Sequence, residues 1–91
     1  KTLPLAKRIV AAGLTYCPHF LAGPIGVMSA AHCLAVAGGD GVLEIDANAN
    51  PIRERLTGGL PGIENGIMSL PEAPGLGVEP DTAQLKEFAV N

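Results

Sequence analysis

The chain has 91 residues, of which 47% are hydrophobic but only 3% aromatic, and its formal net charge at pH 7 is −3. This length allows at most one small domain, and because much of the apolar content is alanine and glycine, its core would be thin. The six basic residues are scattered, so we expect no nucleic-acid partner. No apolar run could cross a membrane, and two cysteines are too few for a disulfide scaffold, so we expect a cytoplasmic protein with buried thiols.

The first residues predict a helix followed by a strand. An apolar stripe at helical spacing predicts a helix from Leu3 to Ala12, with Thr2 as its N-cap and a stop at Gly13. Residues 14–17 resemble a short buried strand that ends at a proline. The histidine that follows, at position 19, therefore lies at the exit of this strand.

A second helix and a second strand come next. Residues 25–36 predict a helix that is apolar nearly all round, with Pro24 in its first turn. A glycine-rich turn leads to residues 42–45, which lack a clean alternation of apolar and polar positions. This pattern is expected of a parallel strand that is covered on both faces.

The second half predicts three short elements, namely a helix near residues 52–56, a hairpin at residues 63–70 and a final helix that ends at Val90. Asn65 and Gly66 form a strong tight-turn signal for the hairpin. Asp81 with Gln84 three residues later resembles a capping box that begins the final helix.

This order gives one and a half units of an alternating α/β fold. In a parallel barrel the carboxyl ends of the strands face the active site, so we expect His19 and Glu44 to converge there. An imidazole titrates near neutrality and can serve as acid or base. Because two parallel strands cannot close a barrel, and because the chain begins at Lys1 without a methionine, we expect a processed piece or a fragment.

Six short motifs follow one another along the chain: Pro18-His19, Gly23-Pro24-Ile25, Ser29-Ala30-Ala31-His32, Leu43-Glu44, Asn50-Pro51-Ile52-Arg53-Glu54 and Pro74-Gly75-Leu76-Gly77-Val78-Glu79. In this order they resemble the C-terminal quarter of the mandelate racemase/muconate lactonizing enzyme group of the enolase superfamily. The likeness is strongest to the acid-sugar dehydratases of that group.

The resemblance implies a modified (β/α)7β barrel of the TIM type with a capping domain. Residues 1–62 would form the C-terminal end of the barrel domain, including its last two parallel strands, at residues 14–17 and 42–45. Residues 63–91 would form a tail that packs on the capping domain.

The resemblance also implies a reaction. A base removes the proton α to a carboxylate, Mg²⁺ holds the enediolate, and a dehydratase then eliminates water from an acid sugar or hydroxy acid. His19 would act as acid and base, and a partly buried, protonated Glu44 would donate to the oxyanion. Asp46 would either line the mouth of the site and contact substrate or cap the next helix. The magnesium ligands and an aspartate partner of the histidine would lie on earlier strands, so we expect no metal ligand in these 91 residues and no activity from them alone.

Two alternatives stay open. One is a racemase or epimerase of the same family, which needs a second base. The other is a non-catalytic assembly module, packed against the rest of a barrel or against subunits of a homo-oligomer. We expect structural roles for four other side chains: packing for His32, an ion pair or helix contacts for Arg53 and Glu54, and a core position for Cys17. The segment from Ser29 to Cys33 resembles the histidine segment of trypsin-like proteases, but its flanks predict a helix.

Overall fold

Helices and strands alternate through residues 1–90, the part of the chain that the computed structural model describes. The helices are α1 (Thr2–Ala11), α2 (Pro24–Ala37), α3 (Pro51–Arg55) and α4 (Thr82–Phe88). The strands are β1 (His19–Phe20), β2 (Glu44–Ile45), β3 (Ile63–Glu64) and β4 (Ile67–Met68). The predicted α/β class is therefore correct.

Helix α2 supplies most of the core. Four residues of this helix are buried, namely Pro24, Val27, Met28 and Ala31, and so are Ala6 of α1 and Leu56 after α3. The helix begins at a proline, whose fixed φ suits a first turn, and ends at a glycine with φ +73°. The prediction of an apolar helix covered by protein is confirmed on this face.

Strands β1 and β2 form a parallel pair with α2 as the crossover between them. His19 pairs with Glu44 and Phe20 with Ile45, a constant offset of 25 positions. The Glu44 N–H donates to the Pro18 carbonyl at 2.9 Å. The predicted βαβ arrangement is therefore present.

The same offset continues before the hydrogen-bonded strands. Gly41 lies so close to the carbonyl oxygen of Tyr16 that no side chain would fit there. One position earlier, the Thr15 hydroxyl donates to Asp40 at 3.5 Å. Residues 15–20 and 40–45 thus run side by side in one register.

The predicted strand positions need correction. The hydrogen-bonded ladder lies at His19–Phe20 and Glu44–Ile45, whereas residues 14–17 and 42–43 are outside it. Pro18 was expected to end the first strand because it lacks an N–H. Its carbonyl group can still accept, and the ladder begins there instead.

The helix ends differ slightly from the predicted ones. Thr2 is the first residue of α1 and does not cap it, and α4 ends at Phe88 rather than at Val90. The Asp81 side chain caps α4 as expected, accepting from the N–H groups of Ala83 and Gln84. In a capping box the side chain at the third helical position also accepts from the N–H of the N-cap residue. Gln84 does not do so here, because the Asp81 N–H donates to the Leu56 carbonyl instead.

The predicted hairpin is confirmed. Strands β3 and β4 are antiparallel, with Ile63 opposite Met68 and Glu64 opposite Ile67. Asn65 and Gly66 between them have φ values of +52° and +76°. Two successive positive φ angles are the requirement of the tight turn that Asn-Gly favours.

Much apolar surface is uncovered among residues 1–90. Only six apolar side chains are buried, Pro24 included, whereas eleven large ones are exposed, among them Val42 at 65% and Ile67 at 68%. The accessible surface is 6293 Å², whereas a folded monomer of this mass exposes roughly 5,000 Å². None of the helices in this range is long and apolar enough to span a membrane. The excess surface favours a partner surface that covers it.

The close approach at Gly41 generates a stability prediction. Gly41→Ala should destabilise the full protein by about 1–3 kcal/mol, because a methyl group there must push the Tyr16 backbone away. Urea unfolding would measure the loss. Gly62→Ala is the matched control, since no atom lies within 4 Å of a Cβ at that position. Equal unfolding midpoints for the two variants would contradict the close packing of these segments.

Candidate functional site

The two side chains predicted to carry chemistry lie next to each other. His19 and Glu44 are direct partners in the parallel ladder, where neighbouring strands are about 4.8 Å apart. Paired residues of a ladder project from the same face of the sheet. The structure therefore brings an imidazole and a carboxyl group together at adjacent strand ends.

The orientation of His19 follows from its neighbour. The Phe20 ring packs against Gly26 of α2, where the missing side chain leaves room for it. Because side chains alternate along a strand, His19 projects from the opposite, open face. The absence of a side chain at Gly26 therefore lets β1 approach α2 closely.

Glu44 is not buried by residues 1–90, and its burial in an intact barrel stays a prediction. Both Glu44 and His19 are exposed, because no residue in the described range covers the open face of the strand pair. Cys17 is exposed as well and is not the core residue that we expected.

A cavity of about 530 Å³ lies beside His19 and reaches α2. Tyr16, Cys17 and Cys33 line it, together with Ser29, whose hydroxyl donates to the Ile25 carbonyl. Both cysteines are free thiols. Partial burial and, secondarily, the nearby Cys33 thiol raise the pKa of Tyr16, so this phenol stays protonated at neutral pH.

Asp46 organises the loop after β2. Its Oδ1 accepts hydrogen bonds from the backbone N–H and the side-chain amide of Asn48, at 2.9 and 2.8 Å. It does not cap α3, because Asn50 occupies that position and accepts from the Arg53 N–H at 3.1 Å. The capping alternative for Asp46 is therefore wrong, while its contact with substrate stays a prediction.

Arg53 is the buried cation of this region, at 7% exposure. Its Nη2 donates to the Asn48 carbonyl, and its Nη1 lies 3.8 Å from Oδ2 of Asp46. A second carboxylate, that of Glu54, lies 4.0 Å from Nη2. The expected structural role of Arg53 is confirmed, but its link to the loop after β2 was not predicted, since no spacing in the sequence signals it.

The start of α3 also touches the loop that follows β1. The Asn50 side-chain amide donates to the Ala22 carbonyl at 3.4 Å. Beside it, the position of a Cβ on Gly23 would lie 3.7 Å from Ile52. One short helix therefore contacts both loops that extend from the strand ends.

His32 is a packing residue, as expected. Its Nε2 lies 3.1 Å from the Leu76 carbonyl and joins α2 to the proline- and glycine-rich segment near the C-terminus. Since His32 and Cys33 lie within α2 and both cysteines are free, the likeness to a protease histidine segment has no structural support.

No three His, Cys, Asp or Glu side chains within residues 1–90 are grouped so that they could hold a metal ion. Magnesium requires several oxygen ligands in near-octahedral geometry. The residues present therefore do not fit a magnesium site by themselves.

A parallel βαβ unit with a histidine and a glutamate paired at its strand ends is the architecture of an α/β fold. The chain belongs to the enolase C-terminal domain-like family, and the sequence pattern of that family matches residues 1–84. Comparisons with curated proteins and with solved structures give no match. The resemblance found in the sequence motifs is confirmed at the level of the superfamily, and with it a family-level role as an enzyme.

The contacts of Asn50 generate a second prediction. Asn50→Ala should destabilise the full protein by about 1 kcal/mol, because α3 loses its side-chain cap and the Ala22 contact together. Asn50→Asp should recover most of this loss, since it keeps the oxygen that accepts from the Arg53 N–H. Thermal unfolding of the three proteins would measure both effects. An alanine variant as stable as the parent would show that α3 is held by other contacts.

Proposed function

We propose that this chain supplies the last two strands of a (β/α)7β barrel in an enzyme that dehydrates an acid sugar. The substrate class is a small acid sugar with hydroxyl groups on both the α-carbon and the β-carbon. The observation that supports this proposal most directly is the pairing of His19 with Glu44 on the open face of two parallel strands. Family membership supports the proposal at the level of enzyme class.

His19 moves the proton. As a neutral imidazole it takes the proton from the α-carbon, and the electron pair of that C–H bond enters the carboxylate group to form an enediolate. The imidazolium then donates a proton to the β-hydroxyl. The C–O bond breaks as the enediolate electrons return, water leaves, and the resulting enol becomes a 2-keto-3-deoxy acid. One residue thus acts first as base and then as acid.

Glu44 stabilises the negative charge that develops on the substrate carboxylate. In its protonated form it donates a hydrogen bond to an enediolate oxygen, which is a stronger acceptor than the oxygen of the ground state. Its exposure here means that the proposal needs a cover over the open face. The other barrel strands would supply that cover and exclude water from the pair.

Magnesium chemistry is expected of this family, where the ion stabilises the enediolate. Because the donor groups among residues 1–90 do not fit such a site, ligands from outside this chain would have to hold it. His19 and Glu44 therefore account for the steps that this chain itself can perform.

Substitution of the two residues in the full protein tests the proposal. His19→Asn should lower kcat by about 10²- to 10⁴-fold, the usual contribution of a general acid–base group. Glu44→Gln should lower it by about 10²- to 10³-fold, as for loss of an oxyanion donor. Proton NMR in D₂O with a panel of five- and six-carbon aldonic and aldaric acids would follow both loss of the α-proton signal and formation of the 2-keto-3-deoxy product.

His32→Gln is the matched control, because the other histidine of the chain only packs against the Leu76 carbonyl. It should keep nearly full turnover. Near-normal turnover in His19→Asn would refute the role of that residue. Exchange of the α-proton without formation of product would assign the protein to the racemases or epimerases instead.

A further inference from the structure

We infer that Arg53 is a positioning residue for Glu44, acting through the loop that joins β2 to α3. This inference rests on the proposed function, because it assigns Arg53 a part in the same site. Arg53 does not touch the open face where substrate would lie. Its side chain instead contacts the Asp46 carboxylate and the Asn48 carbonyl, two and four positions beyond Glu44.

Glu44 needs such an anchor. Strand β2 has only two residues in its ladder and only one neighbouring strand within residues 1–90. The N–H of Glu44 is fixed by the Pro18 carbonyl. The chain beyond Ile45 has no ladder partner in this range, so its path depends on the contacts of the loop.

Arg53 makes these loop contacts from its place in helix α3. Its Nη2 donates to the Asn48 carbonyl, while Asn48 donates twice to Asp46. Asp46 follows Glu44 by two residues, a distance of about 7 Å along an extended chain. A displacement of Arg53 therefore also shifts the Glu44 carboxyl group, because a short hydrogen-bonded segment of the loop joins the two residues.

The two terminal nitrogens of the Arg53 guanidinium are not equally paired. The guanidinium is buried, yet its Nη1 has no hydrogen-bond partner among the described residues, and the Asp46 carboxylate lies 3.8 Å away from it. Leaving a buried donor unpaired costs about 1–3 kcal/mol. An apolar side chain of similar volume would avoid that cost. The charge is therefore better explained by what it fixes, the loop with Asp46, than by its effect on stability.

Helix α3 also contacts the loop that follows the other strand, β1. Its N-cap residue Asn50 accepts from the Arg53 N–H and donates to the Ala22 carbonyl, three residues after His19. Helix α3 thus holds the loops that follow both strands. The separation of the imidazole and carboxyl groups is set by the ladder and kept by this helix.

A double-mutant cycle in the full protein separates positioning from a purely structural role. Arg53→Met, Arg53→Lys and Arg55→Met would each be made in the parent and in Glu44→Gln. Arg55 is the matched control, because it lies on the same helix but is exposed and paired with Glu87. Readouts are kcat, KM and the thermal midpoint, with the acid sugar from the panel that the parent turns over.

Arg53→Met should lower kcat by about 100-fold, with KM changed less than about threefold, because misplacement of a catalytic group by about 1 Å costs this much. In the Glu44→Gln background the same substitution should cost less than about threefold, since the group it positions is already lost. Arg53→Lys keeps the charge and should show a smaller loss of kcat, again larger in the parent than in Glu44→Gln. If Arg53→Met does not fold, the comparison is made with Arg53→Lys. Arg55→Met should leave kcat unchanged.

Equal losses in both backgrounds would overturn the inference and leave Arg53 a structural residue only. Normal turnover in Glu44→Gln would refute the proposed function of Glu44 itself. These two failures are distinguishable, because the first is seen with a Glu44→Gln protein whose kcat is lowered but measurable, and the second with one whose kcat is normal.

Discussion

The constant offset of 25 positions between two chain segments is the constraint on which the rest of the structure depends. It holds at Tyr16 and Gly41, where the backbones touch, and again at His19 and Glu44 in the ladder. A slip of one position would turn every side chain of one segment to the other face. Because only glycine fits at position 41, the close approach disfavours such a slip and fixes which residues meet at the strand ends.

The fold has one well-covered face and one open face. Helix α2 packs on the first, where Phe20 meets Gly26 and the core residues Val27 and Met28 are fully buried. The second carries His19 and Glu44, and nothing in residues 1–90 covers it. A radius of gyration of 14.3 Å, against about 12 Å for a compact domain of this length, agrees with this one-sided packing.

The sequence predicted those parts of the fold that depend on local chemistry. Pro24 and the apolar run after it define α2, and Asn65-Gly66 defines the hairpin, because each residue type restricts φ directly. The exact ladder was not predictable, since Pro18 can accept a hydrogen bond although it cannot donate one. The burial of Arg53 could not be predicted either, because it depends on where the loop after β2 folds back. The pairing of His19 with Glu44 was predictable only because parallel strands end at the same edge of a sheet.

The shared register also decides which residues lie beside His19 and Glu44. Counting back two positions at the same offset gives Cys17 and Val42, both of which are exposed. A thiol and an isopropyl group offer no strong hydrogen-bond partner to a carboxyl group. Within residues 1–90 the position of Glu44 therefore depends on its backbone, whose N–H donates to the Pro18 carbonyl, and on the loop that follows β2.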